Sequence, residues 1–100
     1  MSEGLGLTGT KSALNLTAAT LVSSVNSSSY AARRIGHVHV LVAGTAPGSV
    51  NDAASIAGAG ATNQVFVIPN ALGVYTVDFP CLAGIVVTPG TGQTVAVSYD

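Results

Sequence analysis

The sequence contains little charge. Only 7% of its 100 residues are Asp, Glu, Lys or Arg, against roughly 25% in an average soluble domain. Ser, Thr, Asn, Gly and Ala must therefore cover much of the surface, which is unusual for a free monomer. Three basic residues against four acidic ones give a net charge of −1, so no basic patch exists to bind a nucleic-acid backbone. We therefore exclude nucleic acid as a partner.

Long apolar runs and paired cysteines are also missing. Hydrophobic residues make up 48% of the chain, but no run approaches the roughly 18 to 20 apolar residues of a membrane-spanning helix, so we expect no membrane partner. The opening segment MSEGLGLTGTK has no long apolar region and predicts neither a secretory signal nor a lipidation site. The single Cys81 cannot form an internal disulfide, and we predict that it is a small buried hydrophobic residue.

Short β-strand patterns, punctuated by Gly and Pro, make up most of the chain. Residues 1–12 predict a flexible arm, and residues 13–100 predict a single domain. The first strand starts near Leu14 and places Leu16 and Ala18 on the same face as Leu14. A polar loop from Ser23 to Ser29 follows. Further strands are predicted at 33–44, 49–53, 64–68, 74–79, 84–88 and 93–99. These about seven strands predict an all-β fold, either an antiparallel sandwich or a jelly-roll-like barrel.

The second predicted strand, RRIGHVHVLVAG, holds both histidines of the chain. Two imidazoles on one side of a strand can share a zinc or copper ion, but a tight site needs a third ligand. The candidate donors Asp52, Asp78 and Cys81 are not spaced to reach the histidines. We therefore predict no metal and no other cofactor, and a His pair that faces a partner subunit or a polar cavity. Strand alternation puts Val38, Val40 and Val42 on one face, and Ile35, His37, His39 and Leu41 on the other.

Other motifs lack the groups that their chemistry requires. TPGTGQT at 88–94 is similar to a phosphate-binding loop, but it has no lysine, no leading glycine and no following helix. We predict a hairpin loop with positive φ angles there. Gly58-Ala59-Gly60 lacks the third glycine of a dinucleotide fingerprint. Cys81 has no base to activate it, and Asp52 and Asp78 are interpreted as turn or hydrogen-bonding residues. We predict no catalytic residue.

Arg33 and Arg34 form the one cluster of charge. They are either a solvated strand entry or an interfacial anchor, because a planar guanidinium binds carboxylates and carbonyls at subunit contacts. The available acids are Asp52, Asp78 and Asp100. The residues that we predict at an interface are Arg33, Arg34, His37 and His39 of the strand, and Leu5, Leu7 and Lys11 of the arm.

Two longer patterns occupy the second half of the chain: an APG-V-D turn and the stretch IPN--GVY-VD-PC--GI-V-PGTGQ-V-VSY. Over roughly residues 41–100, and with the short arm, the chain resembles small virion proteins of tailed bacteriophages. The resemblance implies an all-β, often trimeric protein. It also implies a place on the capsid as a decoration or cement protein, or on the tail as a fibre or baseplate component.

We therefore expect a non-enzymatic virion structural protein that is assembled in the host bacterial cytoplasm. It forms a homo-oligomer, with a trimer expected, and it contacts the major capsid protein or another virion protein through its arm. The alternative is a tail fibre or baseplate module that binds a host receptor, for which aromatic residues are scarce: no Trp, three Tyr and two Phe. A third alternative is an enzyme whose site is completed by a partner chain.

Overall fold

The computed structural model describes residues 11–24 and 33–100, which form an all-β fold. A short 3-10 turn, Ala61–Asn63, precedes the fifth strand. Within the described ranges, no helix has the length and hydropathy of a membrane span. The strands are β1 (Lys11–Leu16), β2 (Thr20–Ser24), β3 (Arg33–Val42), β4 (Gly48–Asn51), β5 (Gln64–Ile68), β6 (Gly73–Cys81), β7 (Gly84–Thr88) and β8 (Thr94–Tyr99).

These strands form two antiparallel sheets of four strands each. Sheet A has the order β1-β8-β3-β6, and sheet B has the order β2-β7-β4-β5. Only β4 and β5 are neighbours both in sequence and in a sheet, so every other connection crosses from one sheet to the other. The predicted all-β class is confirmed. The predicted hairpin at TPGTGQT is wrong, because β7 and β8 lie in different sheets, although Gly92 has the expected positive φ, +71°.

The inner faces of the two sheets share one hydrophobic core. Val and Ile dominate it, since β-branched side chains fit a pleated, buried surface. The cluster draws on both sheets and consists of Leu16, Ile35, Val38, Val40, Val50, Ile68, Cys81, Ile85, Val87, Val95 and Val97.

A β-bulge in β1 reverses the predicted faces of its leucines. Leu14 is 70% exposed and Leu16 only 8%. The pairing with β8 shifts between Ala13 and Leu16, and Asn15 takes a positive φ of 56°. An extra residue in one strand moves the following side chains to the opposite face. The prediction that Leu14 and Leu16 share a face is therefore wrong, and Leu14 lies on the outer face of sheet A.

Similar irregularities change two positions in β3. Ile35 is fully buried, because the pairing of β3 with both neighbours shifts between Ile35 and His37. Val42 is 50% exposed, beyond a second shift between Val40 and Val42. The predictions for Ile35 and Val42 are therefore wrong. His37 and His39 stay on the outer face.

Several predicted boundaries also move. Lys11 and Ser12, which the sequence assigned to the arm, pair with Tyr99 and Ser98 as the first residues of β1. Residues 1–10, with the rest of the predicted arm, lie outside the described residues. The loop predicted from Ser23 is wrong at its start, because β2 extends through Ser24. Pro80 does not end β6, since a proline is tolerated on an edge strand that needs no N–H on its free side.

The side chain of Gln93 connects the loops at one end of the molecule. It is 1% exposed, and both ends of its amide have partners. Its Oε1 accepts from the backbone N of Gly90 at 2.9 Å, and its Nε2 donates to the carbonyl oxygen of Pro69 at 2.9 Å. Thr45 N donates to Thr91 O at 2.9 Å. The β3–β4, β5–β6 and β7–β8 connections therefore meet at this end.

Cys81 is a buried core residue, as predicted, with 0% exposure. Burial, and to a smaller extent the negative charge of Asp52, raise the pKa of its thiol from 9.0 to about 11. The thiol is therefore protonated at neutral pH. A protonated, enclosed thiol is a poor nucleophile.

We expect Cys81 to resist a thiol-specific reagent in the native protein and to react after denaturation. Because the native thiol keeps its proton above pH 9 and the unfolded thiol does not, the free energy of unfolding should fall between pH 9 and 11, by at most about 2 to 3 kcal/mol. Urea unfolding of the wild type and of Cys81→Ala at pH 7, 9 and 10 measures this loss as the difference between the two proteins. Rapid modification of the native protein would contradict the buried position.

Candidate interaction surface

The outer face of sheet A, here called the histidine face, carries its side chains in rows across the four strands. Cross-strand pairing puts Ser12 beside Ser98, Ser98 beside His37, and His37 beside Thr76. We call these four residues the polar row. It contains hydroxyl and imidazole groups and no charged carboxylate, ammonium or guanidinium.

The next row of the histidine face is apolar apart from one imidazole. His39 lies between Ala96 of β8 and Val74 of β6. Leu14 completes this apolar row on β1, where the bulge places it. Leu14 is 70% exposed and Val74 is 61% exposed. Beside the row, a depression of about 190 Å³ is lined by Ser12, Leu14, His39, Ala96, Val97 and Ser98.

The two imidazoles stand edge to face on neighbouring rows. Their ring centroids are 6.4 Å apart, with the ring planes at 71°. The hydroxyl of Ser98 accepts a hydrogen bond from the backbone N of His37 at 3.1 Å and lies 3.4 Å from its Nδ1. Ser98 thus positions the His37 ring on the sheet, and both rings are half-buried within the single chain.

The other candidate ligands are engaged elsewhere. Cys81 is inside the core, and the carboxylate of Asp52 accepts hydrogen bonds from the backbone of the β6–β7 turn. Among residues 11–24 and 33–100, no group of three or more His, Cys, Asp or Glu side chains is placed to hold a metal ion. The interpretation of Asp52 as a hydrogen-bonding residue is confirmed.

Arg34 forms an ion pair within the chain. Its Nη1 lies 3.3 Å from Oδ1 of Asp78 and also donates to the carbonyl oxygen of Asp78 at 3.2 Å. The two side chains are 42% and 57% exposed, and an ion pair in such solvent contributes up to about 1 kcal/mol. The pair fixes the direction of the Arg34 guanidinium more than it stabilises the fold.

Charge is segregated to one end of the molecule, the charged end. Lys11 pairs with Tyr99 near the C-terminus, and Asp100 N donates to Arg34 O at 3.0 Å. Asp52 reaches this end through the β6–β7 turn. The opposite end, here called the neutral end, is made of loops 17–19, 43–47, 69–72 and 89–93, and none of them contains a charged residue. The charged residues of the described ranges, all at the charged end, are Lys11, Arg33, Arg34, Asp52, Asp78 and Asp100.

The predicted interface residues fall into three groups. His37 and His39 lie together on the histidine face. Arg33, Arg34 and Lys11 lie apart from them, at the charged end. Leu5 and Leu7 lie outside the described residues.

The residues predicted from the sequence did not include Leu14 and Val74, whose exposed side chains lie on the same face. The face of Leu14 could not be predicted, because strand alternation does not reveal the bulge at Asn15. The place of Val74 on this face follows only from the pairing of β6 with β3.

These features define a small all-β protein with an uncharged and partly apolar outer sheet face. No family model, no curated protein and no solved structure matches the chain.

Proposed function

We propose that the protein is a structural component of a bacteriophage particle, a capsid decoration protein that binds the outer shell as a homo-oligomer. The observation that carries the proposal is the histidine face. There Leu14 and Val74 lie exposed in the same row, with Ala96 and His39 between them, and the row contains no charged residue. Exposed apolar area gains roughly 25 cal/mol per Å² when a partner covers it. Exposed apolar side chains on an uncharged face are typical of a protein–protein contact.

The strand order supports a particular architecture for this role. Sheets of order β1-β8-β3-β6 and β2-β7-β4-β5, connected by crossings at both ends, are consistent with an eight-stranded jelly-roll sandwich, which we propose as the architecture. Viral capsid and lectin domains use this architecture. Because one fold serves many functions, the surface and the resemblance to phage virion proteins carry the functional argument, and the fold is consistent with it.

The distribution of charge indicates how the protein would lie in an assembly. Burying an unpaired charge is costly, whereas neutral and apolar groups lose little hydration. The charged end, with its solvated Arg34–Asp78 pair, therefore stays in water. The histidine face and the neutral end are the surfaces that pack against the shell.

A matched pair of substitutions tests the histidine face. Leu14 and Leu82 are equally exposed, at 70% and 71%, but Leu82 lies on the β6–β7 turn at the charged end. We expect Leu14→Arg to weaken attachment to particles at least about a hundredfold, because an unpaired guanidinium would be buried at the contact. Leu82→Arg should attach normally. Co-sedimentation with particles of the phage that encodes the chain, prepared without it, measures both, and circular dichroism checks that both variants fold.

Cryo-electron microscopy of the same particles tests the role itself. Many copies over the shell are the expected result. Copies confined to the tail would replace the proposal with the tail-module alternative. Absence from the particle, or equal attachment of the Leu14→Arg and Leu82→Arg proteins, would contradict the proposal.

A further inference from the structure

Three of the four edge strands carry features that hinder the addition of another strand. β1 has Lys11 and the bulge at Asn15. β6 has Pro80 and the positive φ of Asp78, 48°. β2 is interrupted by a register shift between Leu21 and Ser23. Charges, prolines and bulges at sheet edges prevent uncontrolled pairing.

The edge of β5 is more open. β5 also has a register shift, but at its start, between Gln64 and Phe66, and its pairing with β4 is regular from Phe66 to Ile68. Its sequence, QVFVI, contains no charge, proline or glycine. Within the part of the chain that the structure describes, its one partner strand is β4, and the other edge of β5 is the end of sheet B. Val67 is 52% exposed on it. Such an edge offers backbone N–H and C=O groups to an extended segment.

The core also reaches the surface beside β5. Phe66 of β5 and Tyr75 of β6 lie with ring centroids 6.5 Å apart across the two sheets. Both are only partly buried, although both pack against the core cluster. A strand added along β5 would place alternate side chains over these rings and remove them from water. The site therefore favours an occupant with apolar residues two positions apart.

We infer that β5 accepts residues 4–10, GLGLTGT, of a neighbouring copy as an added strand. Leu5 and Leu7 are two positions apart and would cover Phe66 and Tyr75, while the alternate residues Gly4, Gly6 and Thr8 are small and would face outwards. This inference rests on the homo-oligomer of the proposed function. It names the segment and the strand that join the copies.

The distance between β1 and β5 indicates that the segment 4–10 added to β5 comes from a neighbouring copy and not from the same chain. β1 and β5 are at opposite edges of different sheets. Ten extended residues span at most about 33 to 36 Å. To reach β5 of its own chain, the segment before β1 would have to cross three strand spacings of about 4.8 Å and the roughly 10 Å between the sheets. This path uses most of that length and leaves too few residues to pair along β5. A donor at one edge and an acceptor at the opposite edge make a head-to-tail contact, and such contacts build a ring when the rotation between neighbouring copies closes.

Disulfide trapping in the full chain tests the contact. Cysteine is introduced singly at the outward positions Gly6, Thr8 or Thr10, each combined with Val67→Cys. Cys81 is buried and does not compete. On oxidation we expect at least one pair to give covalent dimers and trimers on a non-reducing gel. The matched control combines the same arm cysteines with Leu21→Cys, which lies on the β2 edge of the same sheet, and should give none.

A second measurement does not depend on the pairing register. Val67→Lys puts a charge on the accepting edge, and we expect it to weaken self-association on the order of tenfold or more in sedimentation equilibrium. Leu21→Lys on the β2 edge should leave association unchanged. Links only within one chain, equal linking to both edges, or unchanged association of the Val67→Lys protein would overturn the inference.

These outcomes are separate from those of the proposed function. Linked rings that do not attach to particles would contradict the phage role and leave the strand contact standing. Attachment to particles without any link at β5 would overturn the strand contact alone.

Discussion

Replacing Gly90 with alanine is expected to destabilise the protein by more than about 4 kcal/mol, or to prevent folding, because the substitution places a Cβ inside a backbone contact. A Cβ on Gly90 would overlap the carbonyl oxygen of Ala46 and would lie 2.7 Å from that of Pro47. Neither backbone atom can rotate away as the end of a side chain would. The β3–β4 and β7–β8 loops would have to separate, and the hydrogen bond from Gly90 N to Gln93 would weaken.

The matched control for this prediction is Gly60→Ala. A Cβ at Gly60 meets nothing within 4 Å, and the residue has an extended φ of −167°. We expect a change of at most about 0.5 to 1 kcal/mol, in the stabilising direction, because alanine restricts the unfolded chain. Thermal unfolding followed by circular dichroism should show a fall in Tm of at least about 15 °C for Gly90→Ala. Similar Tm values for the two variants would contradict the close approach at Gly90.

Replacing Asp52 with alanine is expected to cost about 3 to 4 kcal/mol, because its carboxylate holds the β6–β7 turn. Oδ2 accepts from Leu82 N at 3.0 Å, and Oδ1 accepts from Ala83 N at 2.7 Å and from Gly84 N at 3.3 Å. Without the carboxylate, three backbone donors lose their acceptor. The turn that joins sheet A to sheet B would then lose its connection to the end of β4.

Asp52→Asn separates the hydrogen bonds from the charge. The amide oxygen can still accept from Ala83 and Gly84, so we expect about half the loss that alanine causes. Since the charge of Asp52 raises the pKa of Cys81, the asparagine variant should also lower that pKa, while burial still holds it above the usual value. Urea unfolding gives the stability, and thiol absorbance against pH gives the pKa. Equal losses for the two variants would show that the charge, and not the acceptor geometry, holds the turn.

The strands with strong local signals could be predicted closely from the sequence. β5 and β7 begin and end at the predicted residues, since β-branched runs there are bounded by Pro69 and Pro89. β2 was missed because its serines have the composition of a loop. Its strand conformation depends on pairing with β7, which lies far away in sequence.

The candidate surface was only partly accessible to sequence reasoning. The alternation in HVH is local, so the shared outer face of His37 and His39 could be predicted. Leu14 could not, because strict alternation assigns it to the face of Leu16, and only the left-handed conformation of Asn15 reverses this. Val74 joins the surface through a pairing with β3 that spans 35 positions, from His39 to Val74.

By itself, the sequence determined the all-β class, the burial of Cys81 and the shortage of charge, because each depends on composition or on periodicity over a few residues. Tertiary structure decided where the bulges fall, which strands are neighbours, and that the few charges gather at one end and leave the other end neutral. The physical reason is that strand pairing is a contact between distant segments. Its register is set by the packing of the whole core, and no local pattern contains that information.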